Sequence, residues 1–289
     1  MQKILTQNLK MKIGILGLGL IGGSLGYDLR SQGYHVLGVS RRESTCEKAI
    51  ALGSVDEASV DMSLLAAAGV VFICTPIALI VPQLQQLINH LPVTTIITDV
   101  GSVKAPIVEA IAPLWENFIG GHPMAGTADS GIEAAQRDLF VGKPYVLTPD
   151  PTTPKTAISV VEEIVRSLGA NLYYCQPEQH DRAVSLISHL PVMVSSSLIA
   201  TCMGEADQQV LQLAQNLASS GFRDTSRVGG GNPELGVMMA QYNRQALLSS
   251  LQKYRQNLDE LTNLIEQSDW AALELKLQST GKARPKFVE

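Results

Sequence analysis

Lys12-Ile13-Gly14-Ile15-Leu16-Gly17-Leu18-Gly19-Leu20-Ile21-Gly22 decides the fold. The first five residues read as a buried strand. A Gly-x-Gly-x-x-Gly turn follows and opens a helix over 21–32. Gly17 permits the tight turn, Gly19 lets backbone amides approach a pyrophosphate, and Gly22 lets the helix pack close to the strand. Leu20 and Ile21 stand at the helix start, where unpaired N–H groups and a partial positive charge face phosphates. A glycine turn built only for packing is the alternative. The strand before it and the helix after it favour a dinucleotide site at Gly17, Gly19, Leu20, Ile21 and Gly22.

Outward from this turn the pattern alternates. Strands are expected at 35–39, 70–74, 95–99, 118–120, 145–148 and 171–174. Helices are expected at 46–52, 81–91, 104–114 and 155–168. Right-handed crossovers need a helix between parallel strands, so the fold class is α/β: an N-terminal Rossmann-type doubly wound sheet. Near Gln176 the character changes to long helical patterns, an all-α C-terminal domain. Helices are expected at 180–202 and 206–219, a glycine-rich connector at 221–232, and a helical tract from 233 to about 277. The domains are therefore 1–10, a leader or extension; 11–175, dinucleotide-binding; and 176–289, helical. Leu251, Tyr254, Leu258, Leu261 and Ile265 form a narrow apolar stripe, read as intramolecular core or as a homodimer seam, two readings that are compatible.

Composition sets limits. The chain has 289 residues, 45% hydrophobic and 17% charged, enough for two domains with real cores. A net charge of −5 with no basic run makes nucleic acid an unexpected partner. None of the four cysteines forms a Cys-x-x-Cys pair or lies near histidines at metal-ligand spacing, so no metal is expected and a reducing cytoplasm is. No membrane is expected either: 70–81 is the most apolar stretch, and Thr75 and Pro76 interrupt it.

The second strand ends Gly38-Val39-Ser40-Arg41-Arg42. An NAD site places a carboxylate here for the ribose 2′-hydroxyl. Ser40 stands in its place, and Arg41 and Arg42 suit a 2′-phosphate, which points to NADP. Thr75 and Pro76 close the third principal strand at the edge where ligands collect; a purely structural turn serves Thr75 equally well. In Asp99-Val100-Gly101-Ser102-Val103-Lys104, Ser102 suits an N-cap or a substrate ligand. Asp99 has the position to orient a neighbour, and solvation alone accounts for Lys104.

Gly121-His122-Pro123-Met124-Ala125-Gly126 carries the chemistry. Of five histidines, His122 alone lies between glycines and a proline at an expected sheet edge. A neutral imidazole there accepts a proton from a hydroxyl. Together with Thr127 and Gly131, this stretch resembles the signature of the prephenate/arogenate dehydrogenase family, and the resemblance extends over nearly the whole chain. It implies oxidative decarboxylation of a cyclohexadienol, with His122 and Ser102 catalytic. It also implies that Arg227, in Phe222-Arg223-Asp224-Thr225-Ser226-Arg227, binds the side-chain carboxylate. Gly126, Thr127 and His189 join Arg227 as substrate-binding positions.

His189 belongs to Ser188-His189-Leu190-Pro191. Many prephenate-using members continue with a second histidine, where this chain has Val192. That departure favours arogenate, oxidised to tyrosine, over prephenate, oxidised to 4-hydroxyphenylpyruvate. Asp129 is a candidate ammonium partner or a solvated cap. Two rivals stand apart. A 3-hydroxy-acid dehydrogenase needs a lysine in the helical region, yet 176–219 contains none. A non-catalytic NADP sensor has no need of His122, Ser102 and Arg227 together.

Overall fold

Apolar residues on both faces of the central strands require cover on both sides, and the computed structural model supplies it with helices. It describes residues 11–127 and 129–288; the expected leader at 1–10 lies outside them. The strands are β1 (Lys12–Leu16), β2 (His35–Val39), β3 (Glu57–Ser59), β4 (Val70–Ile73), β5 (Ile96–Asp99), β6 (Phe118–Pro123), β7 (Pro144–Pro149) and β8 (Asn171–Tyr174). They form one sheet in the order β3-β2-β1-β4-β5-β6-β7-β8. Between them run α1 (Leu20–Ser31), α2 (Glu43–Ala51), α3 (Ile77–Leu87), α4 (Ala105–Ile111) and α5 (Lys155–Ser167). Two apolar clusters fill the layers. One centres on Ile13, Ile15, Leu25 and Phe72, the other on Leu37, Val71, Ile73 and Ile97. The Rossmann-type doubly wound sheet is thus as expected.

The strand order reverses between β1 and β4, and such a switch point opens a crevice at the strands' C-terminal ends. The Gly17 turn lies in that crevice. Its N–H donates to Val39 O at 2.8 Å, and Cys74 N–H donates to Leu16 O at 2.7 Å. Gly17 takes φ 106°, the left-handed region that favours glycine.

Three local expectations change. Glu57–Ser59 adds a short edge strand. The strand expected at 118–120 continues to Pro123, so His122 stands in β6 opposite Val146, not in a loop. β7 runs antiparallel to β6. Among the described residues the connection from Met124 to Lys143 contains only a 3₁₀ turn, Ile132–Ala134, and a parallel return usually uses a crossover helix.

Beyond the sheet come α6 (Pro177–Val184), a single π turn (Ser185–His189), α7 (Leu190–Met203), α8 (Gln208–Leu217), α9 (Ser220–Ser226) and α10 (Pro233–Tyr242). The π turn lies just before Pro191, whose ring cannot follow a regular α turn without a clash one turn back. By length and composition alone, the run Pro177–Met203 could cross a bilayer; its first half instead buries His180, Asp181 and His189.

The connector expected at 221–232 is largely helical: α9 followed by a 3₁₀ turn, Arg227–Gly230. Its glycines serve packing. A Cβ on Gly229 would lie 2.5 Å from the backbone of Ser195 and Ser196. The tract expected from 233 to 277 breaks at Asn243 and again at Ser268, where φ is 54°.

The chain divides into two compact units between Asn243 and Arg244. The second holds α11 (Arg244–Glu266) and α12 (Trp270–Ala283). On the α11 stripe Leu251 and Leu261 are half-buried, while Leu258 is 50% exposed and Ile265 53%.

A Cβ on Gly22 would meet Gly17 O at 2.0 Å, whereas one on Gly19 meets nothing within 4 Å. We expect Gly22→Ala to cost about 3 kcal/mol in urea unfolding, the upper range of overpacking. Gly19→Ala should stay within about 0.5 kcal/mol. Equal costs would contradict the packing account.

Candidate active site

The two peptide groups that flank Gly121 anchor the site. Gly121 N–H donates to Asp99 Oδ1 at 3.1 Å, and Gly121 O accepts from Lys104 Nζ at 2.7 Å. Lys104 Nζ also pairs with Asp99 Oδ2, which accepts Gly101 N–H at 2.8 Å. Both charged side chains are fully buried. Lys104 is therefore not the solvated residue expected, because its ammonium has a carboxylate and a carbonyl to satisfy it. Burial lowers its pKa below the ordinary lysine value, and the Asp99 carboxylate opposes that shift. This clasp fixes the backbone one residue before His122.

His122 is buried at the C-terminal end of β6. Its Nδ1 lies 2.8 Å from His180 Nε2, with the rings edge to face at 5.1 Å. His180 Nδ1 lies 2.8 Å from Asp181 Oδ1. The Asp181 carboxylate also accepts Lys104 N–H at 2.7 Å and Ala105 N–H at 2.9 Å, capping α4 from another element. Asn243 Nδ2 donates to Asp181 O at 2.8 Å and reaches His189 Nδ1 at 3.2 Å.

Burial drives the His122 pKa well below the usual histidine range, and positive charge on His180, Lys104 or His189 adds to the effect. Burial likewise lowers His189, to about 4. Both rings are neutral at neutral pH, so His122 has a lone pair to offer.

Ser102 does not cap α4, since the N-cap position falls on Lys104 and Asp181 supplies the acceptor. Nor does it bond His122; its Oγ is buried with no partner. Thr75 Oγ1, Thr98 Oγ1, Tyr145 OH and His189 Nε2 share that condition. Each buried, unpaired polar atom costs about 1–3 kcal/mol, which a ligand or water can return. Thr75 and Ser102 follow the ends of β4 and β5. Thr98 Oγ1 would contact a Cβ on Gly121 at 2.8 Å.

The dinucleotide end fits its expected ligand. Gly19 is the N-cap of α1 and has no side-chain cap bond, leaving the first-turn amides at Leu20 and Ile21 open. Gly22 packs on the Gly17 carbonyl, and Pro76 is the N-cap of α3. Ser40 is half-buried beside the β3 end, donating its N–H to Ser59 O at 3.2 Å. Arg41 and Arg42 are exposed, and among the described residues no ion pair engages either guanidinium.

Arg227 opens the 3₁₀ turn after α9 and is exposed without an ion pair among the described residues. Ser195 Oγ donates to Thr225 O at 2.6 Å, tying the end of α9, just before that turn, to α7. Gly126 and Thr127 are exposed, and Thr127 Oγ1 accepts Asp129 N–H at 3.2 Å.

His180, Asp181 and Asn243 were not among the expected site residues. Glu178-Gln179-His180-Asp181-Arg182 reads as a charged surface, and only tertiary packing turns the His180–Asp181 face inward. The adjacent His-Asp pair was the one available signal.

Known proteins are similar to this chain in sequence and fold. The family model described as "Prephenate dehydrogenase, nucleotide-binding domain" matches residues 25–174, and "Prephenate dehydrogenase, dimerization domain" matches 176–279. The prephenate dehydrogenase of Bacillus subtilis is 31% identical over 271 residues, covering 90% of this chain and 72% of the relative. The crystal structure of Synechocystis arogenate dehydrogenase is 57% identical with a TM-score of 0.88, covering 96% of this chain and 100% of that one. Prephenate dehydrogenase from A. aeolicus, solved with hydroxyphenyl propionate and NAD+, is 27% identical with a TM-score of 0.91, covering 97% and 99%.

Removing one partner of the clasp leaves a buried charge. Lys104→Met should cost about 3–5 kcal/mol in urea unfolding. Adding Asp99→Asn should recover part of that loss, since no unpaired charge then remains. A cost below about 1 kcal/mol for Lys104→Met, the worth of an exposed pair, would show that the clasp is not structural.

Proposed function

The chain belongs to the prephenate/arogenate dehydrogenase family, and from that premise we propose that it oxidatively decarboxylates arogenate to tyrosine with NADP. It is an oxidoreductase of tyrosine biosynthesis by that membership. The observation that carries the mechanistic reading is His122, buried, neutral and hydrogen-bonded beside the dinucleotide crevice, among polar atoms that lack partners.

When bound, NADP supplies the nicotinamide that takes hydride from the ring carbon. His122 accepts the proton of the hydroxyl on that carbon. Ser102 Oγ, unpaired within the protein, donates to the same oxygen and fixes its direction. Loss of the ring carboxylate as carbon dioxide and aromatisation complete the reaction. Stabilising the charge that develops on the oxygen is where binding energy accelerates the step. Arg227 receives the side-chain carboxylate, with Gly126, Thr127 and His189 bordering the substrate.

Support for arogenate comes from Val192, which places no second imidazole near the substrate's ammonium, and from the 57% identity to the Synechocystis protein of that name. Support for NADP comes from Ser40 in the carboxylate's place and from the exposed Arg41 and Arg42 beside it. The A. aeolicus relative was solved with NAD+, so NAD is the second reading. We also propose a division of labour between 11–175 and 176–289, and a homodimer formed by the latter. The family model over 176–279 is described as a dimerization domain, and Tyr254, Leu258 and Ile265 of the apolar stripe on α11 are exposed.

His122→Asn is expected to lower kcat about 1,000-fold, within the range of lost general-base catalysis, while the Kd for NADP+ stays within about twofold. Activity within a few-fold of the parent would remove the base assignment. NADP+ binding without turnover of either cyclohexadienol in the parent enzyme would mark a sensor.

The depressed His122 pKa fixes a sign. The base is lost only as pH falls through that lowered value, so the acid limb of kcat/KM for the free enzyme should lie well below 6.5. A limb at or above 6.5 would contradict the burial of the ring.

Arg41→Ala with Arg42→Ala should weaken NADP+ by about 1.5–3 kcal/mol, the scale of hydrogen bonds to charged groups, and leave NAD+ nearly unchanged. A parent enzyme that binds NAD+ more tightly than NADP+ would assign the cofactor to the second reading.

A further inference from the structure

We propose that His180 is a positioning residue that, backed by Asp181, holds the His122 proton on Nδ1 and so leaves Nε2 as the base. The inference rests on the base reading of His122 and adds the groups that determine which of its nitrogens is basic.

The direction follows from donors and acceptors. A carboxylate accepts only, and Asp181 already accepts two backbone N–H bonds. His180 Nδ1, 2.8 Å away, therefore carries a proton. The neutral His180 ring then has its lone pair on Nε2. His122 Nδ1, 2.8 Å from that lone pair, must be the donor. The neutral His122 ring has one proton, so Nε2 is bare. As His122 gains a second proton, its Nδ1–H becomes a stronger donor toward His180, and the Asp181 charge lies behind it. Without an acceptor at 180, His122 is free to hold its proton on Nε2 and block the substrate.

Other groups face the same ring. Lys104 and His189 oppose its charging, Asp99 neutralises Lys104, and the unpaired Tyr145 hydroxyl lies on β7 next to Val146, the strand partner of His122.

Two substitutions separate this role from space-filling. Glutamine places its amide near the position of imidazole Nε2, so His180→Gln keeps an acceptor, while His180→Leu keeps bulk alone. His180→Leu should lower kcat about 100-fold, with KM for arogenate and Kd for NADP+ within about threefold. His180→Gln should recover at least tenfold of that loss. A kcat for His180→Leu within threefold of the parent, or equal values for the two variants, would overturn the proposal. Loss of activity in His122→Asn with none in His180→Leu would leave the base reading intact and remove only this one. Near-parental activity in His122→Asn would remove the premise itself.

Should His180→Leu fail to bind NADP+, Asp181→Asn takes its place. Loss of the negative charge should move the acid limb of kcat/KM to lower pH. An unmoved limb would overturn the proposal.

Discussion

The grip on both sides of Gly121, one on each of its two peptide groups, is the constraint on which the rest of the site depends. Asp99 holds its N–H and Lys104 its carbonyl, and each charged group satisfies the other in a space with no water access. A buried ion pair gains little net stability over apolar packing. What it provides here is position. The end of β6 cannot shift without leaving a charge unpaired, so the imidazole one residue later has a fixed origin.

The second half of the site arrives from another part of the chain. α6 carries His180 and Asp181 to the start of α4, where the Asp181 carboxylate occupies two amides that no local side chain caps. The same carboxylate orients His180, which meets His122. One acidic group thus joins a helix start, an imidazole pair and, through its own backbone carbonyl, Asn243. The helix cap and the imidazole pair share the same carboxylate, so drift of α6 would disturb both. The unpaired hydroxyls of Thr75, Ser102 and Tyr145 lie within this rigid frame, the arrangement expected where a ligand completes the hydrogen bonding.

Sequence reading reached what local chemistry dictates. The glycine turn was legible because only glycine takes φ 106° there and because Gly22 has no room for a Cβ. The wholly apolar run at Val70–Ile73 was legible as a buried parallel strand. Residue 122 was legible through its glycine and proline neighbours, although the same neighbours suggested a loop where β6 continues to Pro123. The misread parts depend on tertiary packing. A lysine carries no mark of burial, so Lys104 passed for a solvated side chain. His180 lies between Glu178 and Arg182 in a charged helical stretch that carries no mark of burial. Glycines at 229–231 suggested a connector, whereas Gly229 permits backbone contact between the 3₁₀ turn and α7. The breaks at Asn243 and Ser268 have no proline to announce them. Asn243 ends its helix by turning its amide inward to Asp181 and His189.

The central claim is that His122 rests uncharged with its lone pair on Nε2, and the ¹⁵N chemical shifts of its ring report that state most directly. In histidine-labelled enzyme at pH 7, with the His122 signals identified by their loss in His122→Asn, Nδ1 should resonate as a protonated nitrogen and Nε2 as an unprotonated one. Two protonated nitrogens, or a single proton on Nε2, would contradict the account.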